Sequence, residues 1–202
     1  MGLRTRIKPW IQDLLMKQMD PLRVETIDVA EGDVLEVGFG TGLNLRYFGP
    51  QVKSLVGLDP MDVAGVDKVQ RRIESVSFPI ERKALAADGG LPFDRARFDT
   101  VVTTWTLCSI PDAAAALREM RRVLKPGGRY VFIEHGRADD AGTARWQDRI
   151  NPIWRRVCDG CNINRKIDRL VEENGFELTS LDRFRADGPG IVAQMYRGVA
   201  TR

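Results

Sequence analysis

The stretch at residues 33–42 constrains the fold more strongly than any other part of the chain. An apolar strand pattern runs into three alternating glycines, Gly38, Gly40 and Gly42. Glycine lets a backbone turn sharply and approach a ligand closely, and a helix that starts after such a loop offers free N–H groups. A strand, a glycine loop and a helix in this order predict the first unit of a parallel sheet that binds a ligand at its carboxyl edge.

The remaining sequence alternates between strand and helix patterns. Further strand patterns lie at 53–58, 78–85, 98–104, 129–134, 176–184 and 192–201. Helix patterns lie at 43–48, 62–75, 112–124 and 165–174, and a helix break with a turn lies at 125–128. This alternation predicts a single α/β domain over residues 1–202. We expect a Rossmann-like, doubly wound, mostly parallel seven-stranded sheet with helices on both faces and an antiparallel terminal strand.

Composition and charge exclude several classes of protein. The 202 residues carry 31 Lys and Arg against 28 Asp and Glu, and this net charge of +3 is too small and too scattered to predict nucleic-acid binding. No stretch reaches the roughly 20 apolar residues of a transmembrane segment. Three cysteines do not make a disulfide framework. We expect a cytoplasmic protein that is a monomer or a weak homodimer.

The N-terminal segment 1–30 carries an amphipathic helix pattern. Trp10, Leu14 and Leu15 recur among charged neighbours, as in a helix with one apolar face. Such a face can cover the opening at the sheet edge or make a peripheral contact with a membrane. We favour the first interpretation.

Two acidic residues indicate the class of ligand. A dinucleotide site needs a third glycine at position 43, where this chain has Leu. Glu36 stands two residues before the loop, where a carboxylate fits poorly beside a pyrophosphate and well beside an ammonium group. Asp59 ends the next strand and can accept both hydroxyls of a ribose, although an Asp-Pro pair is also a common turn. The pattern predicts a cationic cofactor that carries an amino acid.

Four blocks of the sequence together resemble the class I S-adenosylmethionine methyltransferases. They are VLEVGFGTG at 34–42, GLDP at 57–60, LPF at 91–93 with FDTVV at 98–102, and LREMRRVLKPGG at 117–128. The resemblance implies that S-adenosylmethionine is the cofactor, that Glu36 faces its amino group and that Asp59 holds its ribose. The adenine-side carboxylate of the family falls at Ala87 here, so Asp88 is the candidate in its place. The implied cofactor-binding residues are Glu36, Gly38, Phe39, Gly40, Thr41, Gly42, Asn44, Asp59, Pro60, Met61, Asp88, Gly89, Thr104 and Trp105.

Later blocks are similar to the thiol S-methyltransferases of the methyltransferase-like protein seven family. They lie at 106–110, 132–135, 146–154 and 159–162, and extend the likeness from residue 34 to about residue 165. The likeness implies a small lipophilic acceptor, in particular a thiol. The animal enzymes carry an N-terminal hydrophobic anchor, whereas this chain has only the amphipathic stretch at 10–19. Cys158 falls where the family has an apolar residue, so only Cys161 matches.

We expect the acceptor to bind near a lid formed by residues 136–164. His135, the single histidine, follows a strand at the ligand edge of the sheet. It either orients or deprotonates the acceptor, or is an ordinary histidine at a strand end. The other candidate pocket residues are Trp105, Cys108, Trp146, Trp154 and Cys161. For the tryptophans of the lid, ordinary core packing is the alternative.

The Cys158-x-x-Cys161 spacing raises the question of a metal. A zinc site would need two further ligands, and Cys108 and His135 are the Cys and His residues that remain. We expect buried or pocket-lining cysteines and no metal.

Other functions remain open from the sequence. A methyltransferase could instead act on the nitrogen of a phospholipid headgroup or small amine, or on the carbon of a quinone-type acceptor. A regulatory protein that binds the cofactor without catalysis is a further alternative, although the intact Glu36, glycine loop and Asp59 argue against a decayed site.

Overall fold

The computed structural model describes residue 16 and residues 18–59, 67–85 and 90–202. The strands are β1 (Gly32–Val37), β2 (Val52–Asp59), β3 (Ile80–Ala84), β4 (Phe98–Thr104), β5 (Leu124–His135), β6 (Glu177–Arg185) and β7 (Gln194–Thr201). They form one sheet in the order β3-β2-β1-β4-β5-β7-β6. Strands β1 to β5 pair in parallel, and β7 is antiparallel to both β5 and β6. The predicted fold class is therefore confirmed.

Five helices accompany the sheet in the described residues. They are α1 (Asp20–Ile27), α2 (Asp67–Glu74), α3 (Ala113–Val123), α4 (Ala141–Val157) and α5 (Ile167–Glu173). Asp112 caps α3 because its side chain accepts a hydrogen bond from the N–H of Ala115. Over these described ranges, no helix combines the length and the apolar character needed to cross a bilayer.

The central strands are buried on both faces, as a parallel sheet between two helix layers requires. Along β1, Leu35 packs in the core beneath α3 and α5, whereas Val34 packs in the core beneath α1 and α2. Val101 and Val102 of β4 divide in the same way. This alternation fixes the register of the strands, and so it fixes which residues reach the carboxyl edge of the sheet.

The helix predicted at 43–48 is wrong. The segment forms a single 3₁₀ turn, Leu45–Tyr47. The side chain of Asn44 is hydrogen-bonded to groups at the sheet edge, and Gly49-Pro50 follows at once. A stretch this short cannot offset the entropy of helix nucleation.

The turn predicted at 125–128 is a bulge inside a strand. Helix α3 does end at Val123, but β5 begins at Leu124 and continues through the Pro-Gly-Gly run. Phe98 pairs with Leu124 and Thr100 pairs with Arg129, so the extra residues of β5 loop out between the two pairs. The other predicted elements agree with the structure except at their boundaries. The predicted N-terminal helix with Trp10, Leu14 and Leu15 lies outside the described residues, as do residues 62–66 of the helix predicted at 62–75.

Candidate active site

A cavity of about 520 Å³ lies at the carboxyl edge of the parallel strands. Asp59 ends β2, Glu36 lies near the end of β1, Thr104 ends β4 and His135 ends β5, and all four line the cavity. Neighbouring strands are about 4.8 Å apart, so Asp59 and His135 stand roughly 14 Å apart along the edge. We call these two sides the β2 end and the β5 end of the cavity.

The glycine loop brings bare backbone to the β2 end. Gly38 has φ +86°, and a Cβ at this position would lie 2.0 Å from the Oγ1 of Thr106. Gly40 has φ +53°, and its N–H donates a hydrogen bond of 2.7 Å to Oδ2 of Asp59. The loop is therefore fastened to β2, and only glycine fits at position 38.

Glu36 is a buried acid that faces the cavity. Glu36 is only 1% exposed. Oε1 accepts a hydrogen bond of 2.7 Å from Nδ2 of Asn44, and Oε2 has no hydrogen-bond partner among the described residues. Burial raises the pKa of Glu36 to about 8, although Asn44 and the charge of Arg23 oppose the shift. Without a ligand the carboxyl group is therefore largely protonated at neutral pH.

Arg23 of α1 is a cavity residue that the sequence analysis missed. Its guanidinium donates to Oδ1 of Asn44 and, over 3.3 Å, to Oγ1 of Thr104. It also lies 4.7 Å from the ring centroid of Trp105. Nε has no hydrogen-bond partner in the described structure, and the nearest carboxylate oxygen, on Asp20, is 3.8 Å away. No local pattern in the sequence separates this arginine from a surface arginine.

Glu36 and Arg23 together match the two charges of an amino acid group. Asn44 bridges them, since its amide nitrogen donates to the acid and its amide oxygen accepts from the arginine. One unused carboxylate oxygen can accept from an ammonium group, and one unused N–H can donate to a carboxylate. S-adenosylmethionine carries both groups at its methionine end, so the residues present fit this cofactor.

The β5 end has a different chemistry. Trp105 and Trp154 line it with aromatic surface. His135 Nδ1 lies 3.8 Å from the Sγ of Cys161, and that sulfur lies 3.6 Å from the Sγ of Cys108. The hydrogen bond with Cys108 and the contact with His135 lower the pKa of Cys161, whereas the hydrogen bond with Cys161 and burial raise the pKa of Cys108.

Trp105 is held in an uncommon backbone conformation. Its φ of +50° lies in the left-handed region, which is unfavourable for a bulky residue and is frequent at functional sites. The N–H of Trp105 donates to the carbonyl of Ile133 on β5, which fixes the turn after β4. This turn directs the indole ring across the guanidinium of Arg23.

Glu134 shapes the loop that follows Trp105. It is fully buried, and its carboxylate accepts hydrogen bonds from the N–H groups of Thr106, Leu107 and Cys108 at 2.9–3.1 Å. Burial raises the pKa of Glu134, and these backbone hydrogen bonds oppose the shift. Glu134 falls within the sequence block at 132–135, but no role could be predicted for it, because an acid inside an apolar strand shows no partner in the sequence.

The structure brings most of the predicted site residues together. The predicted residues that line the cavity are Glu36, Gly38, Phe39, Gly40, Thr41, Asn44, Asp59, Thr104, Trp105, His135, Trp154 and Cys161. Pro60, Met61, Asp88 and Gly89 lie outside the described residues. The cavity is also lined by residues that were not predicted from the sequence, namely Met16, Gln18, Met19, Arg23, Leu43, Thr106, Ser109, Cys158 and Asp159.

Three predicted residues stand elsewhere. Trp146 is 55% exposed on α4, where its ring lies beside Arg149, so its placement in the substrate pocket is corrected. Gly42 packs against Phe39 and Leu45, and a Cβ there would lie 3.1 Å from both side chains. Cys108 is 1% exposed and sits behind Cys161 rather than on the cavity surface.

A second cavity, of about 760 Å³, lies between α4, α5 and the β6–β7 pair. Its walls are charged, with Asp168 ion-paired to Arg183 at 2.8 Å. It contains none of the predicted site residues, so we place the site at the smaller cavity.

Comparisons with known proteins agree with this geometry. A family model described as a methyltransferase domain matches residues 4–181. The chain is 32% identical to thiol S-methyltransferase TMT1A from Homo sapiens over 155 residues, which cover 76% of this chain and 63% of that protein. It is 30% identical to thiol S-methyltransferase TMT1B from Homo sapiens over 172 residues, which cover 80% of this chain and 67% of that protein. The chain thus spans less than two thirds of the length of TMT1A.

A solved structure shows the same fold. The N-methyltransferase NodS from Bradyrhizobium japonicum, in complex with S-adenosyl-L-homocysteine, superposes with a TM-score of 0.64 at 21% identity and covers 98% of this chain and 93% of that one. The match to the family model, the identity to the TMT1 enzymes and a cavity that fits the methionine end of the cofactor lead to one conclusion. The chain belongs to the methyltransferase domain family.

Proposed function

We propose that this methyltransferase transfers the methyl group of S-adenosylmethionine to the sulfur of a small lipophilic thiol. The observation that carries the proposal is the contrast between the ends of the cavity. The β2 end offers paired charges for the cofactor, and the β5 end offers aromatic walls with an imidazole and thiols. The likeness to TMT1A and TMT1B supports the same acceptor class.

The β2 end serves as the donor half of the cavity, which comprises Arg23, Glu36, the loop Gly38–Gly40, Asn44 and Asp59. Glu36 accepts from the ammonium group of the cofactor, and Arg23 donates to its carboxylate. Asp59 accepts from the ribose hydroxyls. When bound, S-adenosylmethionine supplies an electrophilic methyl carbon on a sulfonium sulfur.

The β5 end serves as the acceptor half, which comprises Trp105, His135, Trp154 and Cys161. The two indole rings exclude water and pack against the lipophilic part of the acceptor. A free thiol has a pKa of about 8.5, so a fraction of it is already thiolate at neutral pH. His135 either orients the acceptor sulfur or takes up its proton.

A comparison of methyl-acceptor classes tests the proposal. The purified protein is incubated with isotopically labelled methyl donor and, in parallel, with alkyl thiols of increasing length, phosphatidylethanolamine and a demethylated quinone. Mass spectrometry of the products should show label on the thiols, with turnover rising as the alkyl chain lengthens. Label on the amine or the quinone alone, with none on any thiol, contradicts the thiol assignment.

The His135→Ala variant tests the role of the imidazole. If His135 takes up the proton, the loss of turnover is largest at low pH and shrinks as the pH rises past the pKa of the free acceptor thiol, because the acceptor then ionises unaided. An unchanged pH profile removes His135 from proton transfer.

A further inference from the structure

Three side chains from distant parts of the sequence converge at the acceptor half. One ligand atom from each of Cys108, His135 and Cys161 lies within 4.8 Å of the others. Cys108 belongs to the loop after β4, His135 ends β5, and Cys161 follows α4. Sulfur and imidazole nitrogen are the ligands that zinc prefers in proteins.

We propose that Cys108, His135 and Cys161 bind a Zn²⁺ ion whose fourth coordination position opens into the cavity and binds the acceptor thiol. The metal site stands on its own geometry, whereas the identity of the fourth ligand rests on the proposed function. The proposal departs from the sequence-based expectation of no metal.

The spacing of the ligand atoms suits a tetrahedral ion. With Zn–S distances of about 2.3 Å and Zn–N distances of about 2.0–2.1 Å, a tetrahedron has edges of roughly 3.8 Å between two sulfurs and roughly 3.6 Å between sulfur and nitrogen. The Cys161–Cys108 sulfur distance is 3.6 Å, and the distance from Cys161 Sγ to His135 Nδ1 is 3.8 Å. These two edges are therefore within about 0.2 Å of the tetrahedral lengths, and the third edge, between Cys108 and His135, is at most 4.8 Å long.

Backbone contacts hold the buried ligand in place before any ion binds. The carboxylate of Glu134 accepts from the N–H of Cys108, and the N–H and the side-chain amide of Asn162 both donate to the carbonyl of Cys108 at 2.9–3.0 Å. The residue next to Cys161 is thereby fastened to Cys108. Such outer contacts fix the orientation of metal ligands.

The surrounding charges suit a divalent cation. Zinc binding requires both cysteines as thiolates, and the buried carboxylate of Glu134 lies next to them. Arg165, whose guanidinium donates to the carbonyl of Leu107, contributes one compensating positive charge. Two thiolates balance the charge of a divalent ion, so the two cysteines and the ion together carry no net charge.

The fourth position faces the cavity. Cys108 is buried behind the site, whereas His135 and Cys161 both line the cavity wall. Cys158 also lines the cavity but is not part of the converging group. Three protein ligands with an open position are the arrangement of catalytic zinc sites, whereas structural sites are closed by four.

An ion in this position would activate a thiol directly. The acceptor binds through sulfur and releases its S–H proton to solvent, which leaves a zinc-bound thiolate. This sulfur forms a bond to the methyl carbon while the bond between that carbon and the sulfonium sulfur breaks, and the electron pair stays on the departing sulfur. The products are a methyl thioether, S-adenosylhomocysteine and one proton.

Metal content and cobalt spectroscopy test the site. The full chain, reduced and free of chelator, should bind one Zn²⁺ by mass spectrometry of metals, and Co²⁺ in its place should give the intense visible bands of a tetrahedral thiolate complex. Cys161→Ser and Cys108→Ser should weaken zinc binding by more than the roughly 10–100-fold typical of outer-contact changes. The matched control Cys158→Ser should keep the metal, and thermal unfolding checks that each variant is folded.

Three results overturn the proposal. A reduced, folded chain that takes up neither Zn²⁺ nor Co²⁺ contradicts the site. Loss of the metal from Cys158→Ser makes the site a closed structural one and contradicts the open position. A stable Cys108–Cys161 disulfide that forms in the presence of excess zinc assigns these thiols to redox chemistry instead.

A titration of the wild-type cobalt protein with a short alkyl thiol tests the fourth ligand without relying on any variant. We expect the thiol to shift the visible bands and to add a second thiolate-to-cobalt contribution. Metal binding without methylation of any thiol contradicts the proposed function but not the site. Methylation of thiols by metal-free protein contradicts the activation of the acceptor by the ion but not the proposed function.

Discussion

The donor half and the acceptor half of the cavity are built from different kinds of sequence. The donor half takes Glu36, its glycine loop and Asn44 from nine consecutive residues, with Asp59 one strand later. The acceptor half combines Trp105, His135 and Cys161 from three segments that are separated by whole helices and strands. Apart from Arg23, which comes from α1, the donor half can therefore be read as a motif along the chain, whereas the acceptor half cannot.

The two halves also differ in what they ask of a ligand. The donor half leaves one buried acid oxygen and one buried arginine N–H without partners in the described structure. Unpaired buried polar atoms are unfavourable, and a zwitterionic ligand can pair with both of these. In the acceptor half the thiols and the imidazole contact each other. We expect changes in the donor half to weaken cofactor binding and changes in the acceptor half to alter acceptor use.

The largest effect is expected from Gly38→Ala. The new Cβ would overlap the side chain of Thr106, and alanine is strained at φ +86°. Overpacking and strain together correspond to about 3 kcal/mol, or about 100-fold weaker binding of the cofactor by calorimetry. Gly127→Ala is the control, because Gly127 has φ +74° with nothing within 4 Å. Gly127→Ala should lower the melting temperature slightly and leave the affinity for the cofactor unchanged. Equal losses of cofactor affinity in the two variants would show that backbone strain, and not the overlap with Thr106, is the cause.

Arg23→Met should reduce cofactor affinity by about 10- to 100-fold, because it removes a buried charge-assisted hydrogen bond of about 1.5–3 kcal/mol. The acceptor KM should change little. Arg129→Met is the matched control, since Arg129 pairs with Glu31 away from the cavity. Comparable affinity for Arg23→Met and wild type would remove the carboxylate-binding role.

Glu36 makes the stability of the cofactor-free protein depend on pH. Its pKa is raised to about 8 in the folded state, so the folded chain holds a proton that the unfolded chain releases above about pH 4.5. The free energy of unfolding should therefore fall as the pH rises through this range, by about 2 kcal/mol between pH 6 and 7.5. Glu36→Gln keeps a hydrogen-bond acceptor for the side-chain amide of Asn44. The free energy of unfolding of this variant should not fall over the same pH range. Parallel curves for the two proteins in urea unfolding would contradict the assignment.

The smallest effects distinguish the two tryptophans of α4. Trp154 lines the acceptor half, so Trp154→Ala should raise the acceptor KM by about fivefold, which corresponds to about 1 kcal/mol. Trp146 is 55% exposed. Trp146→Ala should therefore change the free energy of unfolding, and the free energy that corresponds to the acceptor KM, by less than about 0.5 kcal/mol each. A larger effect of Trp146→Ala on the acceptor KM would indicate that the acceptor binds along the outer face of α4.

How much could be predicted differs between elements for physical reasons. The buried strands were predicted closely because a continuous apolar run bounded by glycine admits few other structures. The helix at 43–48 was predicted wrongly because Asn44 is committed to long-range hydrogen bonds that a local pattern does not show. The bulge at 125–128 was predicted as a turn because Pro and Gly are common in turns and in bulges alike. Only the pairing of β5 with β4 distinguishes a bulge from a turn here.

The sequence by itself determined the sheet, the glycine loop and the two acids that line the cavity, since these depend on neighbouring residues along one chain segment. The tertiary structure alone decided that Arg23 enters the cavity, that Trp146 stays outside it, and that Cys108, His135 and Cys161 meet. These facts depend on how separate helices pack on the sheet. Contacts of that kind join residues whose separation along the chain carries no signal of their distance in space.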